Sequence, residues 1–158
     1  KPSQREEFAL NIDIGPTILD LTNTPVPEEM HGRSLVPLIL NEETEWREDF
    51  LYEYFNDPQA VQTPTIFGLR TKKYSYITTQ GVWDNYELYD LEDDPEQKEN
   101  LLKDIKFGHN YGTFISQVRR QDPELLNIIL PMEKRINEIM EKTCGKRTPS
   151  YVDPDCIE

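Results

Sequence analysis

Four short stretches of this chain change the hydrophobic period to two, and they constrain the fold most. Phe50-Leu51-Tyr52-Glu53-Tyr54-Phe55 is dense in aromatics and fits a strand. Asn56-Asp57-Pro58 stops it. Thr65 to Thr71 and Tyr74 to Thr79 alternate around Lys72-Lys73, a hairpin signal that lacks the usual Asn-Gly. Gln80 to Asp84 reads as a loop, and Tyr86 to Leu91 as a fourth strand. The reading is α+β: a small, mainly antiparallel sheet packed with helices.

Helical signals flank these strands. Ile12 to Leu21 reads as a short helix with Asp13 as N-cap, Pro16 in the first turn, and Ile14, Ile18 and Leu21 on one face. Thr22 to Pro27 ends it and runs on as extended chain, and Gly32 to Leu40 follows as a loop with a small apolar anchor. The polar stretch Asn41 to Asp49 is the best internal boundary. Asp94-Pro95-Glu96-Gln97 predicts a helix start, with a carboxylate cap, Pro at the first position and Gln at the third, and Asn100, Leu101 and Leu102 lie on the short helix or turn that follows. Asp122-Pro123-Glu124 predicts another. Its apolar positions are Leu125, Ile128, Ile129, Met132, Ile136, Ile139 and Met140, with a kink or break near Asn127 caused by Pro131 and an end at Cys144-Gly145.

Charge excludes some partners. Seventeen basic side chains stand against 30 acidic ones, a net charge of −13, so clustered cations for nucleic-acid phosphates or an anionic membrane are lacking. No apolar run reaches the length of a spanning helix, and the first residues lack the apolar core of a signal peptide. A start without Met reads as a mature or truncated product. Cys144 and Cys156 are two unrelated thiols or a disulfide closing the C-terminal loop.

Chemistry-bearing patterns are sparse. No Ser-His-Asp spacing, phosphate loop or H-E-x-x-H appears. His31 and His109 stand without partners in polar loops, and Glu92-Asp93-Asp94 lacks the spacing of a calcium loop and reads as a solvated acidic turn. From the residues alone, the chain is an α+β module without a self-contained active site.

Several blocks, in one order, carry a resemblance. Ile12 to Leu21, Gly32-Arg33-Ser34-Leu35-Val36-Pro37-Leu38, Tyr52-Glu53-Tyr54-Phe55, Gly68 to Ile77, Trp83 to Pro95 and Asn100-Leu101 resemble the second half of the sulfatases, in the alkaline-phosphatase superfamily. The branch it looks like is arylsulfatase-like and acts on sulfated glycans. The resemblance implies that residues 1–45 are the last elements of an incomplete α/β domain, and residues 46–158 a C-terminal subdomain. It implies a sulfuric ester hydrolase whose formylglycine and calcium belong to a missing N-terminal catalytic domain. Cys144-Gly145-Lys146-Arg147 does not fit C-x-[PA]-x-R, so no catalytic residue or metal ligand is assigned to this chain, which is expected to be inactive alone. The resemblance implies a periplasmic or secreted location.

Within that resemblance the loops after the first and third strands are the substrate candidates. Trp83 offers a stacking face, and Asn56, Gln62 and Gln80 offer amides; Trp83 packed on the sheet is the alternative. Arg70 is expected to pair with Glu53 or Glu87. Ile12, Ile14, Ile18, Leu21, Leu35, Leu38 and Ile39 are expected to form a patch covered by the missing domain. Two other functions stay open: a stand-alone non-catalytic carbohydrate-binding or interaction module, and a phosphoester hydrolase of the same superfamily.

Overall fold

The computed structural model describes residues 4–55, 64–80, 84–106 and 111–143. It forms two compact units, residues 1–48 and 49–158.

In the first unit, α1 (Ile14–Leu21) follows a single 3-10 turn, and α2 (Val36–Ile39) is one short turn. Asp13 stands at the start of α1 but does not cap it. Its fully buried carboxylate turns to other donors: the backbone N–H groups of Leu10 and Arg33, each at 2.8 Å, and the Arg47 guanidinium, which reaches both oxygens. One turn on, Thr17 Oγ1 accepts the Leu35 N–H at 2.9 Å, and Asp20 accepts the Ser34 hydroxyl. Positions 13, 17 and 20 share one helix face, so the polar stripe of α1 points inward and holds residues 33–35. Gly32 is sterically required there, because an added Cβ would lie 2.0 Å from the Ile12 carbonyl oxygen. The apolar stripe points outward: Ile14, Ile18 and Leu21 are 58%, 56% and 64% exposed. Ile12 and Ile39 are also exposed and Leu35 is half-buried, whereas Leu38 departs from the expected patch by burying itself within the unit.

The second unit holds the sheet. Strands β1 (Asp49–Tyr54), β2 (Thr65–Thr71), β3 (Tyr74–Gln80) and β4 (Asn85–Asp90) form an antiparallel meander in sequence order. Period-two alternation gives one face to the core: Phe67, Leu69, Tyr76, Tyr86 and Leu88. Helices α3 (Tyr111–Gln121) and α4 (Leu126–Lys142) supply Phe114, Val118, Ile129, Met132 and Ile136 to the same core. Tyr86 and Phe114 stack with centroids 3.8 Å apart. Asp49 and Arg135 pair two oxygens with two nitrogens, at 2.6 and 3.0 Å, and tie β1 to α4. The Tyr76 hydroxyl donates to buried Glu133 at 2.6 Å.

Two helical expectations need correction. No helix starts at Asp94; the turn alternative holds, at residues 101–104. Its carboxylate accepts the Glu99 N–H at 2.8 Å, and Gln97 takes a φ of 55°, which stops a helix before it propagates. The chain instead lies along β4. Leu101 N–H donates to the Leu88 carbonyl, and the Asn100 side-chain oxygen accepts the Leu88 and Leu102 N–H groups at 3.0 and 2.9 Å. Burial of Leu102 in the core rewards this path over a local helix. Pro131 does not break α4 either. It and Asn127 are exposed, so water can solvate the carbonyl that loses its donor. Asp122 does begin its turn as expected, accepting the Glu124 N–H. The helix ends at Lys142; Cys144-Gly145, and with them the Cys144–Cys156 question, lie outside the described residues.

Candidate functional site

The meander places both candidate loops at one end of the sheet. Tyr54 pairs with Ile66, Ile66 with Thr79, and Thr79 with Asn85, so β1 and β3 leave where β2 and β4 enter. The chain between β1 and β2 and the chain between β3 and β4 are therefore anchored side by side. Gln80 is the last residue of β3, half-buried and opposite buried Thr65. Asn56, Gln62 and Trp83 lie outside the described residues, as does His109. The framework of this end is aromatic and polar: Tyr54 and Phe55 are exposed, and Phe55 meets Phe67 edge-on at 5.9 Å. Asn85 donates to Glu87 at 2.9 Å.

Glu87 also accepts the Tyr89 hydroxyl at 2.9 Å. Burial and that carboxylate push the Tyr89 hydroxyl up to about 12. Arg70 meets neither expected partner. Leu51, Glu53, Phe67 and Leu69 lie on the helix side of the sheet and Arg70 on the other, so Glu53 is out of reach. Glu87 shares the face of Arg70 but sits two strands away and one row along. The strand period alone could have excluded Glu53.

At the opposite end, Lys73 pairs with Glu92 at 3.0 Å, and that carboxylate raises its pKa. In the first unit, Ile12, Gly15, Pro16, Glu29, Met30, His31 and Gly32 line an open cleft of about 310 Å³. The described residues lining the cleft include no Ser, Thr or Cys for His31 to activate. Among the described residues, no three His, Cys, Asp or Glu side chains converge as metal ligands, so these residues do not fit a calcium site. What the arrangement can do is anchor the chain between β1 and β2 beside the chain between β3 and β4 at one end of the sheet.

The fold matches that of solved sulfatases with the alkaline-phosphatase-like fold, among them a 2-O GAG sulfatase at a TM-score of 0.65 and 24% identity, covering 91% of this chain and 27% of that one. Residues 1–140 match the family described as N-sulphoglucosamine sulphohydrolase, C-terminal, and the chain belongs to that family. It is 33% identical over 149 residues to a Delta 4,5-hexuronate-2-O-sulfatase of Bacteroides thetaiotaomicron, covering 89% of this chain and 28% of the relative. It is 30% identical over 109 residues to an N-acetylglucosamine-6-O-sulfatase of the same species, covering 67% of this chain and 20% of the relative. The chain thus spans between a fifth and a third of the length of these curated relatives. No helix among the described residues is long and apolar enough to cross a membrane.

Proposed function

We propose that this chain is the C-terminal part of a sulfatase that hydrolyses sulfate esters on glycosaminoglycan sugars. The family match over residues 1–140, in a chain that spans so little of its relatives, carries the reading. In the complete polypeptide an upstream catalytic domain would hold the formylglycine and the calcium. No step through either group is assigned to this chain, which does not hydrolyse sulfate esters alone. The complete enzyme works in the periplasm or outside the cell. The partner of the first unit is that upstream domain. The outward isoleucine stripe of α1 supports this, because a helix that turns its polar face inward leaves its apolar face for another body.

The contribution of this chain is to shape the substrate pocket. Asn56, Gln62 and Trp83, together with Gln80 at the end of β3, would meet the sugar beyond the sulfate. Hydrogen-bonding amides and one aromatic face suit a ring with hydroxyl and acetamido groups. The test uses the full-length polypeptide on 6-O-sulfated N-acetylglucosamine and on a 2-O-sulfated unsaturated uronate disaccharide. Sulfate release from either supports the reading. Release from neither, with release from a phosphate monoester or diester instead, overturns it.

A further inference from the structure

The face of the sheet opposite the helices is built unlike a solvent face. Three rows cross it: Phe50, Arg70, Ser75 and Tyr89; Tyr52, Gly68, Ile77 and Glu87; Tyr54, Ile66, Thr79 and Asn85. Tyr52 is 55% exposed, Tyr54 is 39% exposed, and Ile66 and Ile77 are only half-buried. Soluble antiparallel sheets ordinarily place polar side chains here.

Two residues on this face lack a reason among the described residues. Arg70 is half-buried among these neighbours and has no hydrogen-bond or ion-pair partner among the described residues. A partly desolvated guanidinium calls for a carboxylate. Gly68 is mid-strand, where glycine weakens a sheet. Yet an added Cβ would make only ordinary contacts, 3.8 Å from both Ile77 Cγ1 and Tyr52 Cβ. Nothing among the described residues requires that space to be open. Glycine in a strand otherwise marks the close approach of another backbone or ligand.

We infer that this second sheet face is a docking surface for the upstream catalytic portion of the same polypeptide, which seats a backbone segment over Gly68 and a carboxylate on Arg70. The inference rests on the proposed reading of the chain as part of a longer sulfatase. The occupant follows from three observations. Most of the length of the relatives lies outside the span matched here. The face is broad, with an aromatic and aliphatic surface around one cation, as in the core of an interface between domains. A sulfated sugar would satisfy Arg70 but would not account for a face three rows deep.

Tyrosine nitration of the native full-length protein tests this, with peptide mapping of Tyr52 and Tyr54. Docking predicts that both react about tenfold or more slowly than in Arg70→Glu and Gly68→Leu variants, as expected for groups sealed in a packed interface. Gly68→Leu adds bulk only to this face, so the sheet itself should survive even if Arg70→Glu does not fold, and circular dichroism checks both. Free reaction of both tyrosines in the native wild type overturns the inference. Protection that appears only on adding 6-O-sulfated N-acetylglucosamine also overturns it, since the face would then be a sugar site. Sulfate release by the same wild-type sample tests the functional reading separately: an active enzyme with open tyrosines loses the docking surface and keeps the function.

Discussion

Asp13 is the residue whose loss should be felt furthest. Its carboxylate is fully buried, and the Arg47 side chain beside it is only 9% exposed. Four donors converge on its two oxygens: two backbone N–H groups and two guanidinium nitrogens. Asp13→Ala leaves a buried guanidinium unpaired, a change that costs about 3–5 kcal/mol. It also orphans the Leu10 and Arg33 N–H groups, at about 1–3 kcal/mol each where water cannot reach them. The expected loss is therefore about 4 kcal/mol or more, large for a unit of this size. Arg47→Met should cost less, because Asp13 keeps its two backbone donors. The double variant should lose clearly less than the sum, with a coupling of about 2 kcal/mol or more. Burial raises the Asp13 pKa, but the Arg47 hydrogen bond and the Arg33 and Leu10 N–H groups outweigh it and hold the carboxyl below its usual value. Its stabilisation is therefore complete above the unfolded value of about 3.9 and is lost as pH falls from there through the folded one. Denaturant titrations from pH 7 down to pH 3 on wild type and the three variants measure all of this. Additivity within about 0.5 kcal/mol, or an unchanged acid slope in Asp13→Ala, would refute the reasoning.

Asn100→Ala removes the acceptor shared by the Leu88 and Leu102 N–H groups, and a loss of about 2 kcal/mol or more in denaturant unfolding is expected. Arg135→Met gives a useful contrast: its pair with Asp49 is 39% and 19% exposed, so a loss of only about 0.5–1 kcal/mol is expected in the same assay. Trp83→Ala in the full-length enzyme should lower kcat/KM for a sulfated glycan about fivefold to tenfold while sparing a small aryl sulfate, since stacking is worth on the order of 1 kcal/mol. Equal losses on both substrates with a lower Tm would assign Trp83 to packing.

The sheet was legible because its signal is local. Alternation from Phe50 to Leu91 located all four strands to within a residue or so. Helix α3 was missed, although Tyr111, Phe114, Ile115 and Val118 carry the helical spacing that would have found it. Asp94-Pro95 misled because its cap chemistry suits a turn equally well, and only the long-range burial of Leu102 decides between them. Asp13 misled in the same way. A cap is a contact three residues away, whereas its partners Arg33 and Arg47 lie 20 and 34 residues on, a distance no window along the chain can read. The loop site was legible only as residue types. Which strand ends converge is a property of the pairing, which alternation implies but single residues do not show.

The distribution of the core explains why this chain asks for a partner. All 13 residues of the buried hydrophobic cluster belong to the second unit. In the first unit, Leu38 and Pro16 are the buried apolar residues among those described, while Ile12, Ile14, Ile18, Leu21, Ile39 and Leu40 are exposed. Hydrogen bonds hold that unit in shape, yet each contributes only about 1 kcal/mol net. Ordering a residue's backbone costs about 1–2 kcal/mol, so hydrogen bonding alone does not stabilise 48 residues. Burying a large aliphatic side chain is worth about 1.5–3 kcal/mol, and here most of that gain is still unrealised. Covering Ile14, Ile18 and Leu21 together would supply several kcal/mol at that rate, enough to decide whether the unit stays folded. The polar stripe of α1 then has a clear purpose. By fixing residues 33–35 on its inner side, it presents the isoleucines as a preformed surface, so that little further ordering would be needed for the upstream domain of the proposed reading to cover them.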